Sequence, residues 1–325
     1  PGAAGGAAAA LAAVGLGTAC MAPAMAVRAT SVAMAALAWL CWQPAVAPAA
    51  MTELHVFDVG QGDALGIRTR RGQWILVDAG PAGRQSDAGR SVVEPAIRRR
   101  GGVVHTLVLT HPDLDHVGGA AAVIERLRPS QIIEPGFPGT SDAYRAALVA
   151  SQRTGARWRA ARVGDSLVVD EVVLTILAPD SAIVANAHGP NDASVVVLAR
   201  VGDVRWLLTG DAETAEEAWL AARWGAALGA DVYKVGHHGS RTSSTPPLLA
   251  ATRPTLALVS VGRTNRYGHP SPEVLRQLAR GGAEILRTDR HGPLVVRTDG
   301  MRLEAEAAGE RWAVPRRPSA NEPRW

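Results

Sequence analysis

From residue 51 onward the chain alternates short apolar runs with amphipathic stretches. "ELHVFDV" and "DALGIRT" switch between apolar and polar residues at period two on either side of Gly60-Gln61-Gly62, which predicts a β-hairpin. "QWILVDAG" predicts a third strand that stops at Asp78, and "HTLVLT" a buried strand. Helices are expected in "SVVEPAIRRR", in "GAAAVIERL", near 141–153, in "AETAEEAWLAARWGAAL" and in "SPEVLRQLAR". Further strands are expected at "QIIEP", in three runs near 157–178, in the hairpin "SVVVLARVGDVRWLLTGD", and at "DVYKV", "TLALVSV", "AEILRT" and "GPLVVRT". The last strand falls near 302–306, and from about residue 309 "ERWAVPRRPSANEPRW" reads as an unstructured tail. Meandering strands followed by strand–helix units predict an α/β, four-layer αββα sandwich.

The first fifty residues follow another pattern. Residues 1–27 and 29–52 carry no charge, and Arg28 separates them. "ATSVAMAALAWLCWQPAVAPAA" (29–50) is long enough to cross a bilayer, which takes roughly 20 apolar residues. Trp39 and Trp42 would sit at one interface, and Pro44 and Pro48 would end the helix. A signal peptide would start with basic residues, which this segment lacks; an Ala-rich linker is the other alternative. The expected division is a transmembrane segment at 1–50, a globular domain at 51–306 and a disordered tail at 307–325. The chain opens on Pro1, so a fragment of a longer membrane protein is expected. Arg28 on the entry side places the globular domain outside the cytoplasm.

Composition narrows the chemistry. With 325 residues, 47% of them apolar, the chain can bury a sizeable core. The net charge of +4 is mild: of 34 basic residues, 33 are arginine and one is Lys234. Such a balance suits a polyanionic substrate without demanding one. The two cysteines, Cys20 and Cys41, both lie in the apolar N-terminal stretch, so any metal falls to histidines and carboxylates.

Those ligand types concentrate in "LTHPDLDHVGG" (109–119). In a tight loop after a strand, His111 and Asp113 can face one centre while Asp115 and His116 face a second. Asp211, on a turn after "WLLTG", can bridge the two, the arrangement of two-cation hydrolysis. The plainer alternative is an acidic loop capping the next helix, but Asp115 and Gly118 would suffice for that.

With "VDAG" before it and "LLTGD" after it, this motif resembles the metallo-β-lactamase superfamily. "VFDVGQGDA", "NDAS", "YKVGHHGSRTSS" and "NRYGHPSPEVL" narrow the resemblance to the C-terminal domain of the ComEC family of DNA-uptake membrane channels, over about residues 51–305. The resemblance implies that His111, Asp113, Asp115 and His116 form the main metal motif, that Asp211 bridges, and that Asp78 supports without ligating. The wider superfamily carries a histidine where this chain has Asp113, and an oxygen ligand there makes Mn²⁺ as suitable as Zn²⁺ for the two divalent ions. The superfamily's middle histidine has no clear counterpart; His188 reads as a loop residue, and Asn191 and Ser194 are expected to support the site or face substrate. Of the adjacent His237 and His238, one is expected to bind metal and the other to donate a proton or contact phosphate. His237 is taken as the ligand, and His238 is grouped with Asp115 and Lys234 as catalytic. Lys234 either stabilises negative charge or pairs with Asp231. Ser240, Arg241 and Thr242 make a candidate phosphate cradle, or an ordinary helix cap. His269 is a candidate for ligation or substrate contact. His55, His105 and His291 are read as structural, and Trp206, Trp219 and Trp224 as core.

The implied activity is in-line hydrolysis of a DNA phosphodiester at the membrane during uptake, on a single strand or the strand that is not transported. Implied partners are DNA, the membrane through residues 1–50, and other uptake proteins; the implied location is the bacterial cell membrane, with the domain on its outer side. Two rivals are a hydrolase of small esters, lactones or β-lactams, and a non-catalytic DNA-binding domain beside a channel.

Overall fold

The computed structural model describes residues 50–83 and 86–317. All but the last residue of the expected transmembrane segment at 1–50, and the far end of the tail, lie outside the described residues. Among the described residues no helix is long and apolar enough to cross a membrane.

Nine strands make the first sheet: β1 (Thr52–Val56), β2 (Leu65–Arg68), β3 (Gln73–Val77), β4 (Val103–Val108), β5 (Gln131–Glu134), β6 (Arg157–Ala160), and, from the end of the chain, β14 (Leu294–Thr298), β15 (Leu303–Ala307) and β16 (Glu310–Ala313). They lie in the order β16-β15-β14-β1-β2-β3-β4-β5-β6. Seven make the second, in the order β13-β12-β11-β10-β9-β8-β7. These are β7 (Ser166–Val169), β8 (Val172–Ala178), β9 (Val196–Val201), β10 (Val204–Leu208), β11 (Val232–Lys234), β12 (Leu256–Val259) and β13 (Glu284–Arg287).

Period-two alternation assigns each strand's side chains to two cores. Ile75 and Val77 of β3 face the second sheet, where they meet Trp206 and Leu208 of β10 in one inter-sheet cluster. Trp74 and Leu76 point the other way, against α1 (Glu94–Arg100), α2 (Ala120–Leu127) and α3 (Asp142–Thr154). Leu207 of β10 packs outward with α4 (Thr214–Trp224), α5 (Pro246–Thr252) and α6 (Pro272–Arg280). The layers therefore run helix, sheet, sheet, helix. Trp206 is fully buried, and Trp219 and Trp224 pack against the outer core.

The tail needs a correction. Residues 310–313 form β16, antiparallel to β15, and Val314 is buried behind it. "ERWA" carries too many polar residues to read as a strand, but an edge strand with a solvated face tolerates them. Ala308 and Gly309, both at positive φ, make the turn.

Parallel strands β3 and β4, and β10, β11 and β12, all deliver their C-terminal ends to one rim of the sandwich. Asp78, His111, Asp211 and the His237–His238 pair each follow directly on one of these ends.

Candidate metal centre

The rim is assembled from five turns. Gly62 and Asp63 lie between β1 and β2, Asp78 follows β3, and His111 to His116 follow β4. Asp211 follows β10, and the turn Gly236–Gly239 follows β11. Gly62 sits at φ 139°, and a Cβ there would lie 2.2 Å from the carbonyl oxygen of Asp115. Only glycine lets the two turns touch, and the Asp63 amide then donates to that same oxygen at 3.1 Å.

Asp78 is completely buried. It accepts from the Thr110 amide and hydroxyl, both at 2.8 Å, and from His116 Nδ1 at 2.7 Å. That last bond fixes the tautomer: His116 carries its proton on Nδ1 and turns Nε2 inward, 3.3 Å from Asp211 Oδ2. Three other imidazoles follow the same plan. His111 Nδ1 donates to the Thr110 hydroxyl at 3.0 Å. His238 Nδ1 donates to the Ser260 carbonyl at 2.9 Å, and its Nε2 faces Asp115 Oδ2 at 3.3 Å and Asp211 Oδ2 at 3.5 Å. His237 Nδ1 lies 2.8 Å from Glu213 Oε1 and 3.4 Å from the Thr242 hydroxyl, and its Nε2 lies 3.8 Å from Asp211 Oδ2.

The converging atoms want a partner that protein does not supply. His111 Nε2, His116 Nε2 and Asp211 Oδ1 are buried without a hydrogen bond. Atoms of Asp115, His116, Asp211 and His238 lie within 4.8 Å of one another, as do those of Asp63, Asp78 and His116. Buried polar atoms are rarely left so, except where a ligand completes them. The donor set of neutral imidazoles and carboxylates fits a divalent cation.

The electrostatics agree. Burial alone would neutralise Asp211, but the imidazoles of His116 and His238 outweigh it and hold the carboxyl well below its ordinary range. Burial likewise lowers His238, yet Asp211 and Asp63 push it up to about 9. His111, desolvated and beside His116, falls to about 3 and is neutral. Protons on His116 and His238 thus neutralise the carboxylates, and cations would displace them.

Other expected site residues are placed differently. Asp113 is half-exposed, with Oδ2 3.8 Å from His111 Nε2. Lys234 is buried and closes a salt bridge with Asp63, while Asp231 accepts from the Arg205 and Arg317 amides. The expected Lys234–Asp231 alternative is therefore corrected; Lys234 also donates to the Gly210 carbonyl at 3.2 Å, so it braces the site from below. Ser194 is fully buried, and its hydroxyl accepts from the Asp211 amide at 3.3 Å. It holds the turn that carries the Asp211 carboxylate. Asn191 Nδ2 reaches toward Glu213 at 3.5 Å, and Thr242 donates to the same carboxylate at 3.1 Å. Ser240 bonds Thr242 at 2.9 Å, Arg241 is exposed at the rim, and the His269 ring lies 5.7 Å from that of His237. His188 stays in an exposed loop.

Asp63, Thr110 and Glu213 escaped sequence reading. Asp63 lies in a glycine turn that also offers the exposed Asp58, and burial alone separates them. Thr110 and Glu213 lie against His111 and His237, at the Nδ1 side of each ring.

The Metallo-beta-lactamase superfamily pattern matches residues 57–263. ComE operon protein 3 of Bacillus subtilis (strain 168) is 29% identical over 258 residues, 75% of this chain and 33% of that protein. Competence protein ComA of Neisseria gonorrhoeae is 31% identical over 258 residues, 79% of this chain and 34% of that protein. The chain spans about a third of the length of these relatives. Among solved structures, CmlA, a diiron β-hydroxylase from Streptomyces venezuelae, shares the fold with a TM-score of 0.50 at 15% identity, over 76% of this chain and 54% of that one.

Proposed function

The chain belongs to the metallo-beta-lactamase superfamily and within it to the ComEC family, and from that premise we propose that it is a metal-dependent phosphodiesterase acting on DNA during uptake at the membrane. One observation carries the hydrolase reading. Four imidazoles have Nδ1 set against a protein oxygen, and three of them turn Nε2 to within 3.8 Å of Asp211, the fourth being the orphaned Nε2 of His111. The competence name of the Neisseria gonorrhoeae relative supports a part in DNA uptake, which makes DNA the substrate of this reading.

His116, His238, Asp115 and Asp211 would hold one cation; His111, Asp113 and His237 offer donors for a second beside it. Divalent ions bound here, Mn²⁺ or Zn²⁺, supply Lewis acidity at a phosphoryl oxygen and lower the pKa of water. The protein's own part is orientation. Asp78, Thr110, Ser260 and Glu213 hold the tautomers, Ser194 holds Asp211, and Lys234 with Asp63 keeps the two sheets in register beneath. Arg241 stands at the rim, where its guanidinium can meet a phosphate oxygen.

The test is cleavage of labelled single-stranded and duplex DNA by the full chain with Mn²⁺, Zn²⁺, Mg²⁺ or EDTA. Asp211→Ala and His238→Ala should each reduce metal-dependent cleavage at least a hundredfold. Full cleavage in EDTA, or by either variant, refutes the reading; hydrolysis of nitrocefin without DNA cleavage transfers it to the small-ester class.

A further inference from the structure

Tyr267 exposes 71% of its surface, and among the described residues it is the one Phe, Trp or Tyr left open to solvent. It is nevertheless held firmly. The Asn265 side chain uses both ends on this loop: Nδ2 donates to the carbonyls of Gly262 and His269, both at 2.9 Å. Its Oδ1 accepts from the amides of Tyr267 at 3.2 Å and His269 at 3.1 Å. The loop is bolted at both ends to the turns of the metal centre. The Gly262 amide donates to the Gln61 side chain at 3.2 Å, and the Ser271 amide to the Gly239 carbonyl at 2.8 Å.

One face of the Tyr267 ring stacks on His269, with centroids 5.7 Å apart and planes 15° from parallel. His269 in turn lies 5.7 Å from His237, whose Nε2 approaches Asp211. A ladder of three rings therefore runs from solvent to the ligand cluster, and its outermost ring has a free face.

We propose that Tyr267 is the stacking platform for a nucleobase next to the phosphodiester that enters the metal centre. The proposal rests on DNA being the substrate and adds the part of the strand that this face binds. An aromatic ring ordered before binding loses little freedom on contact, which is where stacking gains its affinity. Every base offers a π-face, so such a platform grips a single strand without reading its sequence. A paired duplex hides those faces, so the ligand is an unpaired base. Arg266, exposed beside the ring, can meet the strand's backbone.

The experiment uses the full chain in EDTA and a single-stranded oligonucleotide carrying 2-aminopurine, read by anisotropy and by fluorescence quenching. Tyr267→Ala should weaken binding roughly tenfold or more and abolish the quenching, as removal of a stacked ring does. Tyr267→Trp and Tyr267→Phe should keep both, because the ring and not the hydroxyl is used. Binding of an abasic oligonucleotide should be the same for wild type and Tyr267→Ala. Equal affinity of Tyr267→Ala for the normal strand overturns the proposal, as does an equal loss on the abasic one. Wild-type protein that binds with quenching but never cleaves under any metal refutes the hydrolase and leaves the platform standing. Wild-type protein that neither binds nor cleaves refutes both.

Discussion

Beneath the metal centre, Lys234 and Asp63 form an ion pair with both side chains about 1% exposed. Removing one partner of a buried pair strands the other charge, at a cost of roughly 3–5 kcal/mol. Lys234→Met should therefore lower stability in EDTA by about that amount, and so should Asp63→Leu. The double variant should lose much less than the sum, because neither charge is left behind. Urea denaturation of the four proteins measures this, and strict additivity would show that the pair is not a unit. The pair also marks where sequence reading stops at the residue scale. "HPDLDH" is legible because four ligand-type side chains in six positions exceed what any cap needs. The division of labour between His237 and His238 is not, since both adopt left-handed backbone, at φ 45° and 53°, and no periodicity predicts where such a turn aims its side chains. Asp63 was hidden for a different reason. Its role depends on a lysine 171 positions away in the other sheet, and only the fold joins them.

Among the elements, β1 to β15 and their order along the chain follow from alternation, and so do the helices expected around the sandwich. What alternation leaves open is how one sheet is fixed over the other. The turn between β7 and β8 does this at the end opposite the metal centre. Asp170 accepts from the Thr69 hydroxyl at 2.6 Å, and Glu171 accepts from the Arg70 amide at 2.7 Å and from the Thr52 hydroxyl. Burial would raise the Glu171 carboxyl, but those two donors outweigh it and hold it below its ordinary 4.5. A carboxyl depressed in the folded state contributes stability that is fully present above pH 4.5 and fades as pH falls through the folded value. Glu171→Gln should thus cost about 1.5–3 kcal/mol at pH 7, the worth of hydrogen bonds to a charged group. Below pH 4.5 the wild type should lose its advantage and the two stabilities converge. A gap that stays constant from neutral to acid pH would show that the carboxylate's charge contributes nothing to the clasp.

For the molecule as a whole, the two sheets also meet at one edge, through the strand that sequence reading assigned to a disordered tail. Trp312 of β16 donates its indole N–H to Glu284 of β13 at 3.2 Å, joining the outermost strand of one sheet to the outermost strand of the other. The Val314 amide bonds the Leu303 carbonyl at 2.8 Å, and the Arg317 amide bonds Asp231 at 3.0 Å, so the chain then crosses onto the second sheet. Ending the chain after Gly309 would remove these ties and the buried Val314. It would also bare the backbone of β15 as an unpaired edge, which invites pairing with another molecule. The shortened protein should melt about 5–10 °C lower, as expected for the loss of two to three kcal/mol from a domain of this size. It should also associate in a concentration-dependent way on size exclusion. Its metal content should be unchanged, since the ligands sit on turns of the inner strands. If metal content falls in step with melting temperature, the edge and the centre are one cooperative unit, and β16 holds the site as well as the sandwich.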